Sequence, residues 1–198
     1  MNSIIGSKDS EFYRKLIHIS SSIFPIMYMY LDFNYFFLIL ITSTSITLFI
    51  NLYFTKYFID LPIISSVIPK VLREYESKSL WGASYMLIAY SLIVVIFSKD
   101  IAIISMIITS ISDSFAALIG IYYGKIKLAN NRTLEGTFTF LITSYILFFF
   151  VIESYNIFLI IFISFILSMI ELFTPTKYDN FTIPVTCSII FYLFKDML

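Results

Sequence analysis

Residues 101–123 read IAIISMIITSISDSFAALIGIYY, a stretch that is apolar and long enough to cross a lipid bilayer, except for one carboxylate. A membrane-spanning helix needs about 20 such residues. The carboxylate of Asp113 costs about 3 kcal/mol or more at the centre of a bilayer. An acidic residue within a span is therefore a functional-site hypothesis, and the fold has to shield it from lipid.

The rest of the chain has the same apolar character. Of its 198 residues, 59% are hydrophobic and 13% are charged, and the mean hydropathy is +0.91. Apolar runs occupy residues 16–31, 35–54, 81–97, 101–123, 138–152, 157–173 and 181–194. They predict an all-α, polytopic transmembrane helical bundle of about seven spans in one domain, residues 1–198, with six or eight spans as alternatives. Residues 59–69, which contain two prolines, are predicted to form a re-entrant or interfacial segment.

The first run follows basic residues, as in a signal peptide, but no small-residue cleavage site follows it. We therefore expect it to remain as a helix. A cytosolic N-terminus would place eleven of the thirteen Lys and Arg residues on the cytosolic side and leave Lys99 and Lys195 opposite. This asymmetry predicts an integral, multi-pass membrane protein whose polar sequence, and hence its active site, faces the cytosol.

Overall charge and cysteine content exclude several classes. Thirteen acidic residues balance the thirteen basic ones, so no global field indicates a nucleic-acid partner. The single cysteine, Cys187, excludes an intramolecular disulfide and a cysteine-cluster metal site. Composition does not define the oligomeric state.

Small residues form one stripe on the helix predicted for residues 101–123. Helical spacing aligns Ser110, Asp113, Ala117, Gly120 and Gly124. Such a face lets neighbouring backbones approach closely, so Asp113 is predicted to point inward. Packing accounts for the glycines, but packing gives no reason for a carboxylate.

A phosphate-binding segment is predicted directly after this helix. Lys125 and Lys127 come first, and Arg132 follows in a polar turn. Cations, backbone amides near Gly136 and a helix N-terminus at Thr133 are together suited to phosphates. The spacing matches neither a Walker A loop nor a dinucleotide fingerprint.

Further acidic residues follow on the same predicted side of the membrane. Glu135, Glu171 and the Asp179-Asn180 pair join Asp113 as hard oxygen donors, which suit Mg²⁺ shared with substrate phosphates. The Asp179-Asn180 pair alone is equally compatible with a helix cap.

Two further polar segments lie near the starts of predicted helices. Glu11, Arg14, Lys15 and His18 share one helical face, compatible with either a site or a snorkelling interfacial collar. Residues 78–85, KSLWGASY, favour helix packing and a belt anchor.

At these motifs the chain resembles the CTP-dependent lipid-alcohol kinases, which include dolichol kinase, phytol kinase and the yeast-type diacylglycerol kinase. The likeness is carried, in the same order along nearly the whole chain, by Glu11-x-x-Arg14-Lys15-x-x-His18, Gly82-Ala83-x-Tyr85, Ser112-Asp113-Ser114-x-Ala116-Ala117-x-x-Gly120-x-x-x-Gly124-Lys125, Thr133-Leu134-Glu135-Gly136-Thr137, and Glu171 with Asp179-Asn180-x-x-Ile183-Pro184. The central block is also similar to phosphatidate cytidylyltransferases, so the resemblance implies CTP in either case.

The resemblance implies transfer of the γ-phosphoryl group of CTP to the hydroxyl of a membrane lipid alcohol: a polyprenol or dolichol, a phytol-like isoprenoid, or diacylglycerol. The hypothesis assigns Asp113, Glu135 and Asp179 to catalysis, with Glu171 and Asn180 as further Mg²⁺ ligands. The nucleotide-binding residues it implies are Arg14, Lys15, His18, Lys125, Lys127, Arg132, Thr133 and Gly136. Base and metal-ligand roles remain unseparated.

Two other activities stay open. The Ser-Pro-Lys-Lys-Thr-type run and the longer C-terminal acidic signature of cytidylyltransferases are absent, which favours the kinase. Arg132 stands where the kinases commonly have lysine, and we expect this difference to affect the rate and selectivity of transfer more than the reaction class. In a small ion-coupled transporter, Asp113 would be an ion relay, but no inverted repeat is visible.

Overall fold

The computed structural model describes residues 8–57, 76, 79–151 and 156–197. These residues form eight α-helices: α1 Lys8–Ser20, α2 Ile23–Tyr30, α3 Phe33–Tyr57, α4 Gly82–Ile96, α5 Lys99–Tyr123, α6 Leu134–Val151, α7 Ile157–Phe173 and α8 Asp179–Phe194. A 3-10 turn, Ala129–Asn131, precedes α6, and one isolated antiparallel bridge joins Lys127 to Thr133. The predicted all-α class is confirmed.

Three of these helices are long and apolar enough to cross a membrane: Phe33–Tyr53 within α3, Lys99–Tyr123 and Leu134–Val151. The helices α4, α7 and α8 are apolar but shorter. The predicted segment 59–69 and the cations Lys70, Arg73 and Lys78 lie outside the described residues. The count of seven spans and the orientation therefore remain predictions.

One predicted helix is wrong. The run 16–31 forms two helices, α1 and α2, separated at Ser21 and Ser22. Pro25 explains the break, because a proline ring clashes with the carbonyl group four residues earlier, here that of Ser21, and has no N–H to donate. The Ser21 hydroxyl donates to the carbonyl oxygen of His18 at 2.5 Å, which satisfies one acceptor at the end of α1.

Helix α5 occupies the centre of the bundle and contacts α1, α2, α4, α6 and α8. Within its most apolar window 78% of residues are buried, compared with 22% in α3 and 28% in α6. Apolar clusters lie on both sides of it: one is formed with α6, α7 and α8, and the other with α2, α3 and α4. Asp113 is therefore shielded from lipid on all sides of α5, as its cost in hydrocarbon requires.

The predicted small-residue face of α5 forms the crossing with α6. A Cβ atom on Gly136 would lie 2.8 Å from the carbonyl oxygen of Ala116, and one on Gly120 would lie 2.9 Å from Thr133 Oγ1. Only glycine permits such an approach of the two backbones. The crossing holds the loop before α6 against the half of α5 that contains Asp113.

Candidate functional site

Asp113 lies in a buried cluster of charged side chains from several helices. Its Oδ2 atom accepts a hydrogen bond from Lys15 Nζ of α1, and His18 Nε2 lies 3.6 Å from the same oxygen. Asp113 is fully buried, and Lys15 is only 3% exposed. The predicted face of α1 therefore meets Asp113, although 98 residues separate Lys15 from it.

Arg132 joins the remaining carboxylates to this group. Its Nη1 atom lies 2.8 Å from Glu171 Oε1 of α7 and 3.9 Å from Asp113 Oδ1, and its Nη2 atom donates to Asp179 Oδ2 of α8 at 3.2 Å. The planar guanidinium has several donors in fixed directions, which lets one residue contact three carboxylates. We call Lys15, His18, Asp113, Arg132, Glu171 and Asp179 the charge cluster.

The loop before α6 is built to direct Arg132 inward. Asn130 and Asn131 have φ values of 53° and 60°, in the left-handed region that asparagine tolerates better than most residues. The Asn130 side chain donates to the carbonyl oxygens of Leu172 and Phe173 at 3.2 and 2.9 Å, which ties the loop to the end of α7. The Asn-Asn pair in the sequence thus fixes the residue that follows it.

The charge cluster is poorly explained by stability alone. Burying a charged group costs several kcal/mol, and replacing a buried ion pair by apolar residues of similar size is often neutral or stabilising. Two buried oxygens of the cluster, Asp113 Oδ1 and Glu171 Oε2, have no hydrogen-bond partner among the described residues. Buried oxygens without a hydrogen-bond partner indicate a site that binds an ion, a water molecule or a ligand.

A cavity of about 560 Å³ adjoins the charge cluster. Its walls include Arg132 and Glu171 from the cluster, Lys127 from the loop and Glu11 from α1. Gly120, Gly124 and Gly136 form its backbone-rich side. A cavity whose wall carries the cations Lys127 and Arg132 and the carboxylates Glu11 and Glu171 can accept an anionic ligand together with a divalent cation.

Two predicted phosphate ligands have a structural role. Thr133 precedes α6, and its hydroxyl oxygen accepts from the N–H of Gly136 at 3.1 Å, as a helix N-cap does. The Gly136 amide is thereby already hydrogen-bonded. Both residues also line the cavity, so their predicted contact with phosphate stays a prediction.

Other predicted residues lie apart from the charge cluster. The Arg14 Nη1 atom pairs with Glu11 within α1 at 2.7 Å. Lys125 and Lys127 are both exposed, and only Lys127 lines the cavity. The Glu135 carboxylate accepts from the N–H of Ile126 at 3.4 Å, and no contact with the cluster is recorded for it in the described part of the chain.

Asn180 and two residues that the sequence did not single out organise the start of α4. A Cβ atom on Gly82 would meet the Asn180 side chain, and the N–H of Gly82 donates to buried Glu76 at 2.6 Å. Asn51 of α3 accepts from the N–H of Trp81 at 3.0 Å. Asn51 could have been identified from the sequence, because it is a polar residue within the apolar run 35–54.

The side chains present fit Mg²⁺ bound together with a triphosphate. Among described residues, no group of three His, Cys, Asp or Glu side chains forms a complete metal site. Mg²⁺ usually needs only one or two carboxylates when substrate phosphates supply further oxygens. Asp113 Oδ1 and Glu171 Oε2 are buried oxygens of the required kind without hydrogen-bond partners in the described ranges.

Comparisons with known proteins assign the chain to a family but do not assign it an activity. No family model and no solved structure matches the chain. It is 33% identical over 139 residues to the uncharacterized protein RP860 of Rickettsia prowazekii (strain Madrid E), a match that covers 69% of this chain and 68% of that protein. At this identity and coverage, the chain belongs to the same protein family as the Rickettsia protein.

Proposed function

We propose that the protein is a CTP-dependent lipid-alcohol kinase, which transfers the γ-phosphoryl group of CTP to the hydroxyl of a membrane lipid. The observation that carries the proposal is the charge cluster beside a cavity of about 560 Å³ that a cation-bearing loop lines. It agrees with the motif resemblance, because Lys15, Asp113, Glu171 and Asp179 of the cluster come from three of the five resembling blocks, and Arg132 directly precedes a fourth.

Phosphoryl transfer needs charge neutralisation and positioning more than covalent chemistry. In the proposed complex, Lys127 and Arg132 contact the nucleotide phosphates from the cavity wall. Lys15 holds the Asp113 carboxylate in place. Bond formation between the lipid oxygen and the γ-phosphorus breaks the bond to the β-γ bridging oxygen, so CDP leaves and the hydroxyl proton passes to an acidic side chain.

Asp113 and Glu171 would hold Mg²⁺, which would neutralise charge on the phosphates when bound. The adjoining Asp179 positions Arg132 through its contact of 3.2 Å. Water exclusion follows from burial of these three carboxylates, and it strengthens each interaction of the site.

The proposal includes a membrane topology. The N-terminus and the charge cluster lie on the cytosolic side, where CTP is available, in a bundle of about seven spans. Asp113 is ten residues, about 15 Å, from the end of α5, so the site reaches into the membrane and a lipid hydroxyl can meet it laterally. The lipid bilayer is then the source of the acceptor.

Transfer of label tests the reaction class. The full chain in lipid nanodiscs is given Mg²⁺, CTP labelled on the γ-phosphate, and separately polyprenol, phytol or diacylglycerol. Labelled lipid monophosphate is the expected product. Transfer of a labelled cytidylyl group to phosphatidate would select the cytidylyltransferase instead, and no nucleotide turnover with any lipid would overturn both.

Two lysines provide a matched pair for the nucleotide site. Lys125 and Lys127 are both exposed and two residues apart, but only Lys127 lines the cavity. A charged hydrogen bond is worth about 1.5–3 kcal/mol, so Lys127→Met should raise the KM for CTP about tenfold or more. Lys125→Met should leave the KM unchanged. Equal effects of the two substitutions would contradict the assignment of the cavity to CTP.

A further inference from the structure

A second, apolar groove of about 330 Å³ lies between α6 and α7. Leu134, Phe138 and Leu141 of α6 face Phe165 and Met169 of α7 across it. Its polar lining is limited to Glu135, Thr137 and Ser168.

This groove opens to the outside of the bundle. Leu134, Phe138 and Phe165 are between 48% and 60% exposed. They lie along α6, a candidate membrane span that turns most of its surface outward, and along the apolar α7. A groove on this surface is bathed by hydrocarbon chains, so a lipid chain is the occupant that its setting favours.

The apolar groove adjoins the cavity beside the charge cluster. Thr137 lines both of them, and its buried hydroxyl oxygen has no hydrogen-bond partner among the described residues. On α7, Ser168 lines the groove, and Glu171, one turn further on, lines the cavity. A molecule whose chain lies in the groove can therefore place its polar end beside Thr137, at the border of the cavity.

Glu135 has a defined place in this arrangement. It borders the apolar groove, but the surface that the groove exposes is almost wholly apolar. The Glu135 carboxylate instead accepts from the N–H of Ile126 in the loop before α6. The polar group at the border between the groove and the cavity is therefore the Thr137 hydroxyl.

We propose that the α6–α7 groove binds the hydrocarbon chain of a single-chain lipid alcohol and that the Thr137 hydroxyl contacts the hydroxyl group of that lipid. The identification of that alcohol as a phosphoryl acceptor rests on the proposed function, whereas the groove as a lipid site does not.

Photolabelling tests the groove independently of any activity. The full chain in phosphatidylcholine nanodiscs is irradiated with a phytol analogue that carries a diazirine halfway along its chain, and the modified peptides are mapped. Label is expected on α6 and α7 within the groove, and excess unlabelled phytol should suppress it. Label that is spread over the outer helix surfaces or insensitive to phytol would overturn the proposal.

Neighbouring residues of α6 give the matched variants. Leu141 lines the groove, whereas Ile142 is exposed and does not line it. Leu141→Trp fills the groove and should reduce specific labelling about fivefold or more, while Ile142→Trp should leave it unchanged. Equal labelling of both variants would also overturn the site.

The two proposals fail separately in these experiments. Groove labelling without transfer from CTP would support the lipid site and contradict the kinase proposal. Transfer from CTP to phytol without groove labelling, and with normal turnover by Leu141→Trp, would support the kinase proposal and contradict the groove as the lipid site.

Discussion

Removal of the Asp113 charge should destabilise the protein through Lys15. Asp113→Asn keeps the size of the side chain but leaves the Lys15 ammonium, which is 3% exposed, without its carboxylate partner. Breaking a buried pair by removing one partner typically costs about 3–5 kcal/mol. For a chain of this length, that corresponds to a decrease in Tm of about 6–20 °C.

A second substitution separates charge from shape. Lys15→Met in the Asp113→Asn background removes both charges and leaves groups of similar volume, so most of the lost stability should return. Arg132 keeps Glu171 and Asp179 as partners in this double variant. Phosphoryl transfer should stay abolished in both variants, because Asp113 is absent from each.

Cys187 supplies the assay. It is the one cysteine of the chain and is buried, so a thiol-reactive dye reports unfolding in detergent or nanodiscs. Interaction energies between residues in contact are typically about 0.5–3 kcal/mol, which is large enough to be measured as a difference in stability between the single and the double variant. A double variant no more stable than Asp113→Asn would refute the reasoning that Lys15 and Asp113 depend on each other.

Three further substitutions examine other parts of the site. Arg132→Lys replaces a fork that spans Glu171 and Asp179 with a single ammonium, so CTP turnover should fall about tenfold or more in the transfer assay. Thr137→Val removes the buried hydroxyl at the border of the groove, so it should raise the KM for the lipid alcohol about threefold or more and leave that for CTP unchanged, and the reverse pattern would place Thr137 on the nucleotide side. Gly136→Ala puts a Cβ atom 2.8 Å from a backbone oxygen of α5, and the dye assay should show a loss of about 1–3 kcal/mol, whereas an unchanged Tm would refute the tight crossing.

Much of the architecture could be read from periodicity and composition. The apolar run 157–173 coincides with α7, and the run 101–123 differs from α5 by two residues. Small residues on α5 predicted a close crossing, and Gly120 and Gly136 make it. These features depend on local chemistry, which a sequence shows directly.

Long-range pairing was beyond the reach of the sequence. Lys15 pairs with Asp113, and Arg132 pairs with three carboxylates on different helices. The expected contact of both cations with phosphate stays a prediction. Helical spacing identifies which residues share a face, but not which face of another helix meets it.

The position of Asp113 on the central helix makes the N-terminal helix part of the site. Within the described part of the chain, Arg132 is the cation outside α1 that lies near Asp113, at 3.9 Å, and it also contacts Glu171 and Asp179. The hydrogen bond to Asp113 comes from Lys15. A carboxylate within a span needs a partner to remain charged. Because α1 provides that partner and α8 provides Asp179, the charge cluster requires helices from both ends of the described chain.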